Sequence, residues 1–198
     1  MGQCDICLTH RDLQVQKSLL QHKVPPRPWA KVAADICFHS GRTLLVVVDC
    51  FSNFTEVDSL SSETSKSVIR SVMATFSRFG VPDMLVTNHG PCFASSEFAK
   101  FVDQWNFQHV TSSPCYLQSN GKAENAVCTV ERLLTKCRAA GITEFQALLD
   151  WRNTPSEGMD TSLAQRLLGC RCKTSLPTSG TLLMPEFRMP FVLLNVCS

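Results

Sequence analysis

The chain has 198 residues, 44% of them hydrophobic, enough for one domain that buries a substantial core without covalent staples. Its net charge is only +2, so any contact with nucleic acid must rest on a local basic face and not on bulk charge. The 11 cysteines are odd in number and irregularly spaced, the opening residues lack an apolar leader, and the longest apolar runs (Leu44 to Val48, Phe191 to Leu194) fall far short of a membrane span of roughly 20 residues; an intracellular, reduced protein without a membrane segment is expected.

The first 28 residues are polar and close on Val24-Pro25-Pro26-Arg27-Pro28, where prolines remove backbone donors and favour an extended linker. Within them Cys4-Asp5-Ile6-Cys7 has the spacing of a zinc-ligand pair, but a structural site needs four ligands, and His10 and His22 could complete it only in a different geometry. Zinc is therefore not expected. Two β-rich runs follow, Lys31 to Phe38 and Thr43 to Phe51, joined by a hairpin turn at His39-Ser40-Gly41-Arg42, and a third run, Phe54 to Leu60, closes a meander. The period then changes: Val68, Ile69, Val72, Met73, Phe76 and Phe79 keep helical spacing until Gly80 and Pro82 stop it. Met84 to Thr87 reads as a short strand, Ser95 to Asn106 as a helix, Gln108 to Thr111 as a strand, and Asn120 to Ala139 as a long helix; shorter helices follow over Thr143 to Arg152 and Thr161 to Leu168. Three opening strands followed by alternating helix and strand predict an α/β fold, a five-stranded mixed sheet flanked by helices in the ribonuclease H-like order.

Three polar residues stand where such a sheet gathers chemistry. Asp35 interrupts the apolar run Val32-Ala33-Ala34-Asp35-Ile36, Asn88 follows the fourth strand, and Glu124 lies near the start of the long helix with 35 residues between it and Asn88. Each alone has a plain structural explanation: an outward strand residue, a turn residue, a carboxylate that complements a helix N-terminus. Together their order and spacing resemble the Asp, Asp, 35 residues, Glu arrangement of the integrase superfamily. The resemblance runs from Pro28-Trp29 to Thr161-Ser162 and includes Val48-Asp49-Cys50-Phe51-Ser52, Gly80-Val81-Pro82, Thr111-Ser112-Ser113-Pro114, Gln118-Ser119-Asn120-Gly121-Lys122-Ala123-Glu124-Asn125 and Asp150-Trp151-Arg152-Asn153-Thr154-Pro155. Gypsy-type long-terminal-repeat retrotransposons are the nearest relatives by these motifs.

The resemblance implies a catalytic core that performs two-metal polynucleotidyl transfer in DNA integration, with Asp35, Asn88 and Glu124 at the catalytic positions and Asp35 and Glu124 as ligands of Mg²⁺ or Mn²⁺. It also implies DNA as partner, a homodimer or higher oligomer, and a nuclear location. Where the family typically reads Ser/Thr-Asp-Asn-Gly-Pro-Gln-Phe, this chain has Thr87-Asn88-His89-Gly90-Pro91-Cys92-Phe93. A neutral amide lacks the charge that offsets two cations and turns a donor toward them, so a loss of about 10³-fold in rate is expected. Neither neighbouring carboxylate is placed to replace it. A hairpin centred between Ser40 and Gly41 pairs Asp35 with position 46, so Asp49 faces the opposite side roughly 10 Å along the sheet, and Asp83 precedes the fourth strand at its other end.

Read at 100° per residue, the long helix turns Ala126, Val127, Val130, Leu133, Leu134 and Cys137 to the core, sets Glu124 and Glu131 beside them, and leaves Lys122, Asn125, Thr129, Arg132 and Lys136 on the remaining arc. With the resemblance, this assigns sequence-independent DNA-backbone contact to Lys122, Arg132 and Lys136, and to Gln118, Ser119 and Asn120 on a mobile loop. Leu117 and Leu163 stand where relatives usually carry proline. The expected organisation is a zinc-like segment and linker over 1–28, the core over 29–140, its C-terminal helices over 141–177, and an aberrant tail over 178–198. An integrase-like core that binds DNA but is impaired in catalysis is the leading expectation; a domesticated, non-catalytic DNA- or protein-binding scaffold is the alternative.

Overall fold

The structure, a computed structural model, describes residues 25–112, 120–156 and 159–185. Cys4, Cys7, His10, His22, Gln118, Ser119 and the tail from 186 onward lie outside the described residues, and with them the expected zinc pair and loop contacts.

The elements follow in chain order as β1 (Lys31–His39), β2 (Arg42–Asp49), β3 (Thr55–Leu60), α1 (Ser65–Phe79), β4 (Met84–Thr87), α2 (Ser96–Trp105), β5 (Gln108–Thr111), α3 (Gly121–Ala139), α4 (Glu144–Asn153) and α5 (Leu163–Leu168), before a short 3₁₀ turn over Gly180–Leu183. The sheet order is β3-β2-β1-β4-β5. The first three strands pair antiparallel, while β4 and β5 join parallel through helical crossovers. Ser40 (φ 50) and Gly41 (φ 79) both take the left-handed conformation that a two-residue hairpin requires, and this fixes the register so that Asp35 pairs with Val46 as expected.

Strand alternation sends side chains to two faces. One buries Val32, Ala34, Leu45, Val47 and Leu85 against Val68, Val72 and Phe76 of α1 and Phe98 and Phe101 of α2. The other buries Ala33, Leu44, Val46, Val48 and Val86 against Ala123, Ala126, Val130, Leu134 and Cys137 of α3. Asp35, two residues from Ala33, therefore points to the α3 side. Helix starts are set by side-chain caps: Thr64, Ser95, Thr143 and Ser162 each accept from the backbone N–H three residues on. Ser162 and Gln165 form a reciprocal capping box, which begins α5 at Leu163 and not at Thr161 as the periodicity suggested.

Candidate active site

The parallel pairing of Ala34 with Thr87 brings the residue after each, Asp35 and Asn88, side by side at the end of β4. Asn88 Nδ2 donates to Asp35 Oδ1 at 2.7 Å, and the other end of the amide, Oδ1, accepts from Gly90 N at 3.0 Å. Asp35 Oδ1 also accepts from Ile36 N at 2.8 Å. Burial raises the Asp35 carboxyl above its ordinary range; the Ile36 N–H opposes this, and the charge of Glu124 adds to it. Glu124 is exposed, in the first turn of α3. Asp35 and Asn88 thus meet directly, and Glu124 lies near enough for its charge to act on Asp35.

The surroundings are organised around this meeting point. Thr87 Oγ1 donates to Asn88 O at 2.8 Å, so its remaining capacity is as an acceptor, and His109 Nε2 at 2.9 Å must supply the proton. Burial holds His109 below its ordinary pKa and hence neutral near pH 7. Cys37 follows Asp35 on the same face of β1; burial, with help from Glu131 and Asp35, pushes its thiol up to about 11, so it offers no thiolate.

A metal-dependent centre of the implied kind needs anionic ligands to spare, and these residues do not fit one. Both partners of Asp35 Oδ1 are hydrogen-bond donors, and the Asn88 oxygen is committed to Gly90. Among the described residues no group of three or more His, Cys, Asp and Glu side chains is arranged to hold a metal ion.

The other expected carboxylates have different occupations. Asp49 is fully buried and accepts from Trp29 N (3.0 Å), Phe51 N (3.3 Å), Ser52 N (2.9 Å) and Ser52 Oγ (2.5 Å). Asp83 pairs with Arg27 at 2.5 Å, before β4. Neither reaches Asn88.

On α3, Arg132 and Lys136 are exposed, and Lys122 Nζ donates to Asn53 Oδ1 at 2.6 Å in the β2–β3 turn. None of the three is in an ion pair among the described residues. Lys122 and Glu124 are some 200° apart around the axis, so they occupy opposite shoulders of the outward face, with Arg132 between them. One expectation is corrected: Asn120, assigned to a DNA-contacting loop, is 1% exposed. Its carbonyl starts α3 by accepting from Glu124 N at 3.1 Å, and its side-chain amide finds no partner among the described residues. It is an interior helix-start residue.

Sequence reasoning missed His109, Asn53 and the arginines Arg152 and Arg166, which bind Thr55 O and Ser52 O. The spacing Asp49-x-x-Ser52 was a usable signal for the turn at the end of β2, since Asp commonly accepts from backbone groups two or three residues on.

A family model described as integrase core domain matches residues 25–116, a span that includes Asp35 and Asn88 and ends before Glu124. An uncharacterized protein of Caenorhabditis elegans is 29% identical over 191 residues, covering 94% of this chain and 15% of that protein. The Pro-Pol polyprotein of feline foamy virus is 36% identical over 93 residues, covering 47% of this chain and 8% of the polyprotein. The chain spans only a small part of these curated relatives. Among solved structures, a chain of the simian T-cell lymphotropic virus intasome in complex with PP2A regulatory subunit B56 gamma superposes with a TM-score of 0.66 at 22% identity, over 80% of this chain and 61% of that one. The catalytic core domain of BIV integrase gives 0.62 at 19% identity, over 71% and 94%. The HTLV-2 integrase catalytic core domain, solved in complex with magnesium, gives 0.59 at 22%, over 72% and 98%. These likenesses establish the ribonuclease H-like fold, and over residues 25–116 the chain is similar to the integrase core domain.

Proposed function

We propose that this chain is an integrase-derived core that binds DNA through its phosphates and is impaired in strand transfer. The observation that supports DNA binding is the set Lys122, Arg132 and Lys136 on α3, none of them neutralised by a carboxylate among the described residues. Lys122 and Lys136 are 14 residues apart, roughly 21 Å along the helix at 1.5 Å per residue, which is about six base pairs of duplex at 3.4 Å each. A duplex laid along the outward face of α3 reaches both shoulders, the basic one and the one that bears Glu124. The contacts go to phosphates, so binding is independent of sequence, and integration by descent becomes residual at most because Asn88 contributes no charge.

The test is fluorescence polarisation on a generic duplex across a salt series. About three phosphate contacts give a slope of log K against log salt near −2.7, at −0.9 per phosphate. The pair Lys122→Glu and Lys136→Glu should weaken binding at least tenfold and flatten the slope by about 2. Unchanged affinity and slope in that variant would remove α3 as the DNA face.

A second reading, the protein-binding scaffold, has one observation in its favour. Ile142 and Phe145 are 45% and 85% exposed beside a cleft of about 550 Å³ between the β1–β2 turn and the start of α4. Sedimentation of the wild type against Phe145→Ser separates it from the first, because self-association through this patch would fall while duplex binding would not.

A further inference from the structure

We infer that the Asn88 carboxamide is a built-in replacement for a bridging cation: it clamps Asp35 by a hydrogen bond, so that the centre is assembled and closed without a divalent metal. The inference rests on reading Asp35, Asn88 and Glu124 as the integrase-derived centre, and it adds how that centre is held in this chain.

Four features of the geometry support it. The amide has one workable orientation, because Nδ2 faces a carboxylate oxygen at 2.7 Å and Oδ1 faces the Gly90 N–H at 3.0 Å. Turning it over would set oxygen against oxygen and donor against donor, losing both bonds. The amide oxygen is also covered: a Cβ on Gly90 would lie 2.9 Å from it, so the bare glycine backbone is what lets the loop close on Asn88. Asp35 Oδ1 takes a second N–H, from Ile36, so that among the described residues Oδ2 and the Glu124 carboxylate are left outside this network. Finally, a carboxylate at position 88 would set two anionic oxygens at about the same 2.7 Å, an arrangement that holds only with positive charge between them. The Asn88 amino group, with its positively polarised hydrogens, stands where that charge would be.

The experiment uses the full chain, with Mn²⁺ as probe, and compares wild type, Asn88→Asp and Asn88→Ala. Calorimetric titration should show Mn²⁺ binding at least tenfold tighter in Asn88→Asp than in the wild type. Thermal unfolding in EDTA and in Mn²⁺ should coincide for the wild type, whereas Asn88→Asp should melt lower in EDTA and recover with metal. A difference in affinity smaller than tenfold, or a wild-type melting temperature that rises with Mn²⁺ and stops doing so in Asp35→Ala, overturns the proposal. Should Asn88→Asp fail to fold, Asn88→Ala decides the matter. It removes the clamp without adding charge, so it should melt below the wild type in EDTA and bind Mn²⁺ no more weakly; an unchanged melting temperature overturns the clamp. Duplex binding measured in EDTA is a separate readout: its absence from a protein that behaves as clamped sinks the DNA reading alone, and tight metal binding by a wild type that still binds duplex sinks the clamp alone.

Discussion

Asp49 shows how a buried carboxylate is used for architecture. It terminates β2 by accepting from the N–H groups of Phe51 and Ser52 and from the Ser52 hydroxyl, and it reaches back to Trp29 N across the entry to β1. Asp49→Ala would leave several buried donors unpaired, at about 1–3 kcal/mol each, so a loss of about 3 kcal/mol or more is expected in denaturant titration. A loss under about 1 kcal/mol would mean that water takes over these donors. The side that Asp49 faces and its register relative to Asp35 were legible, because strand alternation and hairpin register are properties of the backbone. Its four hydrogen bonds were not, since they depend on where the residues before β1 return. His109 belongs to the same class. Its pKa is lowered by burial from 6.5, so the unfolded chain takes up the proton first as pH falls. Its contribution is fully present above about pH 6.5 and is lost through the interval down to the depressed folded value. A melting-temperature profile from pH 8 to 5 should show that decline, and His109→Gln should flatten it; identical profiles would assign the acid sensitivity elsewhere.

At the scale of elements, period and punctuation located every strand and helix named above, and the boundaries shifted where a side chain bonded the backbone. The second strand ends at Asp49 and not at Phe51, because the Asp49 carboxylate captures the N–H groups of Phe51 and Ser52. Asn106, at φ 52, closes α2 in the left-handed conformation that asparagine tolerates, so it lies just outside the helix that periodicity included it in. The angular reading of α3 was legible because 100° per residue is a property of any α-helix, and Ala126, Val130, Leu134 and Cys137 do face the sheet. What the wheel left open was which strand lies under each shoulder. The structure decides that through Asn53, a turn residue at φ 62 that engages Lys122 on the β2–β3 side, while Glu124 acts on Asp35 of β1. Leu163 is a further instance: a leucine at the first position of α5 forgoes the preset φ of proline, but it is buried against Phe54 and Ala164.

For the whole molecule the issue is whether the segments after α3 are appendages or part of one cooperative unit. Phe54, in the β2–β3 turn, is buried together with Leu163 and Ala164 of α5, with Trp151 and Leu167 packed around them. Arg166 Nε donates to Ser52 O at 2.9 Å, and Arg152 grips Thr55 O through Nε at 3.0 Å and through its second nitrogen at 2.7 Å. The Arg152 guanidinium also lies 4.9 Å from the centroid of the Phe54 ring and pairs with Glu56 at 3.2 Å. Chain ending at Ala140 would strip this cover from the turn that Asp49 organises and that holds Lys122. Exposing Phe54 and losing three charge-assisted bonds to two carbonyls, at about 1.5–3 kcal/mol each, amounts to about 6 kcal/mol or more, which is comparable with the entire stability of a typical domain. The expected outcome is that the full chain unfolds in one transition seen alike by circular dichroism and by tryptophan fluorescence. A chain cut after Ala140 should lose that coincidence and bind a hydrophobic dye without denaturant, because the α3 face of the sheet would keep its helix while the β2–β3 turn came loose. A truncated chain that melts as cooperatively as the parent, within about 1 kcal/mol, would show that α4 and α5 are passengers on a core already complete at α3.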